Sequence, residues 1–298
     1  MRASAFASAK VNLYLHVGAP TADGYHPVCS LMVFADVGDR VGVEAAARPE
    51  LALELVVDGP FAGELAGDPA DNLVLRAARA LVAAAPAPAP PFRLVLTKAL
   101  PVAAGLGGGS SDAGAALRLL CETLGLKLGD AALEAVAAQI GADGPACLWG
   151  RPVVGEGRGE VLSPAPRLPT LDAVLVNPRV ACPTGAVYRA YDAAGAFGGA
   201  DRPLLPDTID SVEEAAALLA ACRNDLEPPA AALVPQVGEV LEVLRGESET
   251  LLARMSGSGA TCFALCPGDI EAEGLAERLR ALRPDWWVER CRLGGPWG

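Results

Sequence analysis

The run P-V-A-A-G-L-G-G-G-S-S, from Pro101 to Ser111, carries the residue types that hold phosphate: Gly105, Gly107, Gly108 and Gly109, then the hydroxyls of Ser110 and Ser111. Asp112 follows, and apolar residues then fall at Ala113, Ala116, Leu117, Leu120, Cys121 and Leu124, the i, i+3, i+4, i+7 spacing of a helix. A glycine-rich loop feeding a helix start offers unpaired backbone N–H groups and the positive end of the helix dipole, which favour an anion such as phosphate. A flexible Gly-Ser connection before an ordinary helix would use the same residues. Two other phosphate loops fit less well. The Walker pattern needs lysine where Ser110 stands, and the dinucleotide pattern needs glycine there and a hydrophobic strand abutting Gly105.

The elements that must position this loop are legible in outline. Residues 5 to 17 alternate and then become apolar, with Lys10 and Asn12 inside a strand-like stretch. Asp23-Gly24-Tyr25-His26 marks a turn. Strand-like pieces follow at Ser30 to Phe34, Asp39 to Glu44 and Leu51 to Val57. Asn72 caps a helix running to about Ala85. The proline-rich spacer Ala85 to Pro91 breaks it, and a strand from Phe92 to Thr97 delivers Lys98 and the loop. A helix over Asp130 to Gln139 precedes Asp143, which glycine and Pro145 fix on a turn. Near Pro164 to Pro169 the proline density rises and a new strand, Leu171 to Asn177, begins, so the chain divides into residues 1–166 and 167–298. Residues 195 to 208 read as a mobile loop. Helices over Ser211 to Ala221 and Glu271 to Leu282, with a strand at Trp286 to Glu289, make the second half α+β.

Composition narrows the function. With 298 residues the chain is long enough for two cores, and its hydrophobic residues, 52% of the total, are dispersed among Gly and Pro. No apolar run reaches the roughly 18 to 20 residues of a membrane span, and the first ten residues lack a signal-peptide core, so a cytoplasmic protein with no membrane partner is expected. The formal charge of −12 argues against nucleic acid as a partner. Eight scattered cysteines with no C-x-x-C pair, and only two histidines, read as reduced, mostly buried side chains.

The loop P-x-x-x-G-L-G-x-G-S-S before a helix resembles the nucleotide-binding motif of the GHMP kinases, the group of galactokinase, homoserine kinase, mevalonate kinase and phosphomevalonate kinase. Within that group, A-K-x-N-L-x-L-x-V and A-D-G-Y-H resemble the opening of the branch that phosphorylates a cytidine-diphosphate-linked methylerythritol, in the non-mevalonate route to isoprenoids. The G-A-D segment at Asp143, the short E-G-x-G-E turn at Gly155 to Glu160, N-D-L-E at Asn224 and S-G-S-G at Ser256 follow in the group's order. Gly144 departs from the pattern, which usually has a β-branched residue there, and Arg158 stands at a position usually apolar.

This resemblance implies an α+β fold of two domains, the first like ribosomal protein S5 domain 2 and the second ferredoxin-like, with the active site in the cleft between them. It implies ATP as phosphate donor with Mg²⁺, for which Ser111 is a possible ligand, and a cytidine-bearing small molecule as acceptor. Pro101 to Ser111 (including Val102, Ala103, Ala104 and Leu106), Asn72 and Lys98 would bind ATP; a bare helix cap and a solvated strand end are the alternatives for the last two. Lys10 and Asp143 would be catalytic. Asn12, Tyr25, His26, Thr184 and Tyr188 would bind substrate, the two tyrosines stacking on cytosine and His26 bonding its edge. The chain would act as a monomer or weak homodimer. A sibling kinase, a silent sensor that keeps the fold, and a nucleic-acid binder remain the competing readings; fold alone does not separate them.

Overall fold

The computed structural model describes residues 3–48, 50–65, 68–86 and 88–297; Ala87 of the proline-rich spacer lies outside them. Two long strands form the backbone of the molecule. β1 (Ala3–Val17) pairs antiparallel with β2 (Val28–Ala45), and β2 is one strand where two were expected, bent through register shifts against β1 between Ser8 and Lys10 and between Asn12 and Tyr14. Then come β3 (Leu53–Asp58), α1 (Leu73–Ala84), β4 (Phe92–Thr97), α2 (Gly108–Leu124), α3 (Asp130–Ala138), α4 (Gly144–Trp149), β5 (Val153–Gly157) and β6 (Val161–Pro164). The remainder is β7 (Leu171–Asn177), α5 (Thr184–Ala194), α6 (Val212–Ala220), α7 (Glu227–Leu233), α8 (Pro235–Gly246), β8 (Leu252–Met255), β9 (Cys262–Leu265), α9 (Asp269–Leu282) and β10 (Trp287–Gly294).

One sheet runs through the chain in the order β3-β4-β2-β10-β7-β9-β8, with β1 and the β5–β6 hairpin attached to β2. Only β3 and β4 pair in parallel among the described strands, as expected for strands joined through α1. The last strand, β10, returns to pair with β2 at Leu293 and Gly294, so the sheet crosses the expected boundary at residue 166. Cores form accordingly. One is built wholly from the first half, around Leu81, Leu94 and Leu117, and another mostly from the second half, around Val240 and Leu275. A third is shared, with Leu13 and Leu31 packed against Leu175 and Phe263. Burying both halves on one sheet fixes the cleft between them.

Local chemistry explains the elements that matter most. The Asn72 side chain accepts from Val74 N at 2.9 Å and so caps α1. α2 begins at Gly108, ahead of its first apolar position, so Gly108, Gly109, Ser110 and Ser111 are its first turn rather than a loop before it. The chain does not stop after Asp143 either: Asp143 is the residue before α4, with Pro145 near that helix's start, where the missing N–H costs nothing. The segment 195–208 lacks helix and strand but is tied down. His16 Nδ1 bonds Asp201 O at 2.8 Å, and Arg223 donates to the carbonyls of Gly198 and Gly199.

Candidate active site

A cleft of about 850 Å³ lies along the glycine loop and runs between the two halves. Gly105 and Gly107 hold left-handed backbone, φ 77° and 60°, and a side chain on Gly105 would put its Cβ 2.4 Å from Ser256 O. The second glycine turn is therefore packed onto the first. Ser256 Oγ donates to Gly105 O at 2.9 Å and accepts from Asn12 N, and Thr261 N donates to Ala104 O. Asn224 holds the turn from beneath by donating to Met255 O and Gly257 O, both at 2.8 Å. With Gly107 at its N-cap, α2 leaves the N–H groups of its first turn directed at the cleft, which Gly108, Gly109 and Ser110 line.

At the junction of the two halves Lys10, only 5% exposed, donates to Asp143 Oδ2 and to Asn12 Oδ1, both at 2.9 Å. Asn12 Nδ2 donates to Ser30 Oγ at 2.7 Å, which donates to Tyr14 O, so the ammonium is aimed by a chain of bonds within the β1–β2 ladder. The Asp143 side chain is 37% exposed, makes no capping bond to α4 and opens on the cleft. A carboxylate facing an 850 Å³ cleft and a sealed ammonium behind it are equipped to accept a proton and to offset negative charge.

Lys98 is arranged differently. It is 3% exposed and donates to Asp39 and Asp112, the latter at 2.9 Å, with both carboxylates buried. The solvated strand end is thus ruled out, and its ammonium is committed to two acids under the loop. Burial pushes the Asp112 carboxyl up, opposed by the charge of Lys98; burial pulls Lys98 down, but the charges of Asp112 and Asp39 outweigh it and raise it. Asp39 Oδ1 also accepts from Ala99 N and Leu100 N, anchoring the chain that enters the loop. Sequence reading missed Asp39 and Asp112 as partners of Lys98.

Ser111 corrects the expectation of a metal ligand. It is 2% exposed and does not line the cleft, whereas Ser110 does; its hydroxyl lies beside the Cys147 thiol with no oxygen or nitrogen partner. Among the described residues no three His, Cys, Asp or Glu side chains converge.

Of the aromatic residues expected to meet substrate, Tyr188 lines the cleft, and Tyr25 and His26 do not. Tyr188 is half-buried, its hydroxyl pushed up to about 12 by burial and then by the Asp143 charge. The His26 ring lies 5.2 Å from that of Tyr188. His26 offers no spare ring nitrogen for a base edge, because Nδ1 bonds Gly18 O at 2.8 Å and Nε2 meets Asp192 Oδ1 at 3.0 Å. Tyr25 is 55% exposed, and Arg158 lies over its ring at 3.7 Å while pairing with Asp23. Arg158, whose place the sequence left open, thus lines the cleft and covers one face of the Tyr25 ring. Thr184 Oγ1 bonds Ser258 Oγ at 2.8 Å, which ties the start of α5 to the second glycine turn. Asn72 lines the cleft while capping α1, so capping and facing the cleft are not alternatives.

Comparison with known proteins places these residues in a family. Residues 72–151 match the GHMP kinases N terminal domain and residues 207–285 match GHMP kinases C terminal. A 4-diphosphocytidyl-2-C-methyl-D-erythritol kinase of Caulobacter sp. (strain K31) is 65% identical over 297 residues, covering 99% of this chain and all of that protein. A crystal structure of a 4-(cytidine 5'-diphospho)-2C-methyl-D-erythritol kinase superposes with a TM-score of 0.78 at 34% identity, over 99% of this chain and 100% of the other. Homoserine kinase from Cytophaga hutchinsonii superposes with a TM-score of 0.70 at 18% identity, covering 99% of this chain and 94% of the other, a likeness of fold alone.

Proposed function

The chain belongs to the 4-diphosphocytidyl-2-C-methyl-D-erythritol kinases, within the GHMP kinases, and from that membership we propose that it transfers the γ-phosphoryl group of ATP to the C2 hydroxyl of 4-diphosphocytidyl-2-C-methyl-D-erythritol. The products are the 2-phosphate and ADP, a step of the non-mevalonate route to isoprenoid precursors. One observation carries the chemistry: the Lys10–Asp143 pair at 2.9 Å, with its carboxylate open to the cleft that the glycine loop lines.

The steps follow from where the groups stand. Gly105 to Ser110 cradle the phosphates through backbone N–H groups leading into the start of α2, with Pro101 to Ala104 lining the same cleft. The C2 hydroxyl approaches Asp143, which takes its proton as the oxygen bonds to the γ-phosphorus and the bond to the β–γ bridging oxygen breaks. Lys10 offsets negative charge on the transferring group. Ser110 is the loop hydroxyl on the cleft side and would be the group within reach of a Mg²⁺ brought in on the nucleotide, which would supply neutralisation of phosphate charge. Tyr188 and Tyr25 flank the cytosine ring, with His26 holding Tyr188 in place. The eight free cysteines suit a reducing compartment, so we place the reaction in the cytoplasm.

The test is ATP consumption by the purified protein, offered diphosphocytidyl methylerythritol, its uridine analogue, homoserine or mevalonate, alongside Asp143→Ala. Turnover of the cytidine compound alone, lost in the variant, is expected. Turnover of homoserine or mevalonate would overturn the reading of the aromatic residues.

A further inference from the structure

A second cavity, of about 670 Å³, lies on the other side of α2 from the phosphate cleft, beside the residues at the start of β1. Its polar groups are unusually free. Arg118, on α2, donates to Leu148 O and has no carboxylate partner among the described residues, although burial lowers its pKa below the usual arginine value. Ser111, whose buried hydroxyl lies beside the Cys147 thiol without an oxygen or nitrogen partner, lines this side, and so does Ser8, 7% exposed, whose hydroxyl has no hydrogen-bond partner among the described residues. Arg40 adds a second guanidinium, stacked over Phe6 at 5.7 Å and likewise without a carboxylate. The one acid on the wall, Asp36, is already bound by Arg292 at 2.8 Å.

Two guanidiniums without a carboxylate partner among the described residues, one of them bonded only to the Leu148 carbonyl, and two hydroxyls beside them, in a chain of net charge −12, suit a negative group. Trp149 and Trp297 line the same space and offer flat apolar surface. We propose that this cavity binds a small anion: the carboxylate or phosphate group of a compact molecule with a flat apolar body, its charge met by Arg118 and Arg40 and its oxygens by Ser8 and Ser111. The wall is shared with the active site. Cys147 lines the cavity, and its Sγ stands 3.7 Å from where a Cβ on Gly107 would lie, so an occupant sits one side chain behind the phosphate loop.

The test is a tryptophan-fluorescence titration of the full chain, with the phosphate cleft filled by a saturating non-hydrolysable ATP analogue. The probes are benzoate, phenyl phosphate and, as the uncharged control, benzyl alcohol. Saturable quenching by at least one anion is expected, with benzyl alcohol at least about tenfold weaker and Arg118→Gln weakening the anion at least about tenfold. Benzoate alone would mark a carboxylate site, phenyl phosphate alone a phosphate site; either supports the proposal. Should Arg118→Gln fail to fold, Arg40→Glu, on an exposed residue, serves in its place, with the same loss expected. No saturation by either anion, equal binding of the alcohol, or unchanged affinity in the folded variant would overturn it.

Discussion

Two buried lysines stand beside the same glycine loop, and they are built for different work. Lys10 has one carboxylate partner, Asp143, which is 37% exposed and faces the cleft, and one neutral partner, Asn12. Lys98 has two carboxylate partners, Asp39 and Asp112, whose side chains are 0% and 3% exposed. A charge whose partner meets solvent and substrate is available to a reaction. A charge closed in by two buried acids holds the fold, because removing it leaves both acids uncompensated. Charge and sequence position do not separate the two lysines, since each precedes or underlies the loop; the burial of their partners does.

The sharpest way to break this contrast is to remove the structural lysine. Lys98→Met is expected to lower the unfolding free energy by about 3–5 kcal/mol, because two buried carboxylates lose their counter-charge. Chemical denaturation reads it, and a loss below about 1 kcal/mol would mean that the cluster is worth no more than a surface ion pair. Next in size is the loop itself. Gly105→Ala must adopt positive φ, a strain of roughly 1–2 kcal/mol, and must in addition push back the Ser256 carbonyl, so the Michaelis constant for ATP should rise by about tenfold or more. Steady-state kinetics at saturating acceptor checks it.

Acidity separates the sites more finely. Burial raises the Asp112 carboxyl, with Lys98 opposing, so the folded chain holds that proton more tightly than the unfolded chain does. Its contribution to stability is therefore fully present below the ordinary carboxylate pKa and declines as pH rises from there toward neutrality. Asp112→Asn, which imitates the protonated form, should flatten that part of the pH–stability curve; an unchanged slope would place the titration elsewhere. The smallest expected effect is at the base end. Arg158→Ala frees the Tyr25 ring and should raise the Michaelis constant of the cytidine substrate by about two- to fivefold, the worth of one exposed cation–π contact, with turnover unchanged.

The sequence shows these parts unequally. The glycine loop is legible because its signal is local: composition, spacing and a helix period within one stretch. Lys10 and Asp143 are far apart in the chain, and their meeting came only from family resemblance, since no local pattern relates β1 to the residue before α4. The same distance hid Asp39 from Lys98, for which the sequence offered only an ATP contact or a strand end facing water. Ser111 was misjudged for a geometric reason. Once α2 starts at Gly108, successive residues point about 100° apart around its axis, so Ser110 and Ser111 face different cavities. The β2 strand was read as two because Ala35-Asp36-Val37-Gly38 lacks strand periodicity, yet β1 and β10 both pair along it and carry it through.

The most direct test of the division of labour is single-turnover phosphoryl transfer by Asp143→Asn, measured with equilibrium binding of both substrates and the unfolding midpoint of the same preparation. Transfer slowed by about 10²- to 10⁴-fold is expected, with binding and the unfolding midpoint nearly unchanged. Transfer at the wild-type rate would contradict that division, and so would a loss of stability large enough to explain the slow step.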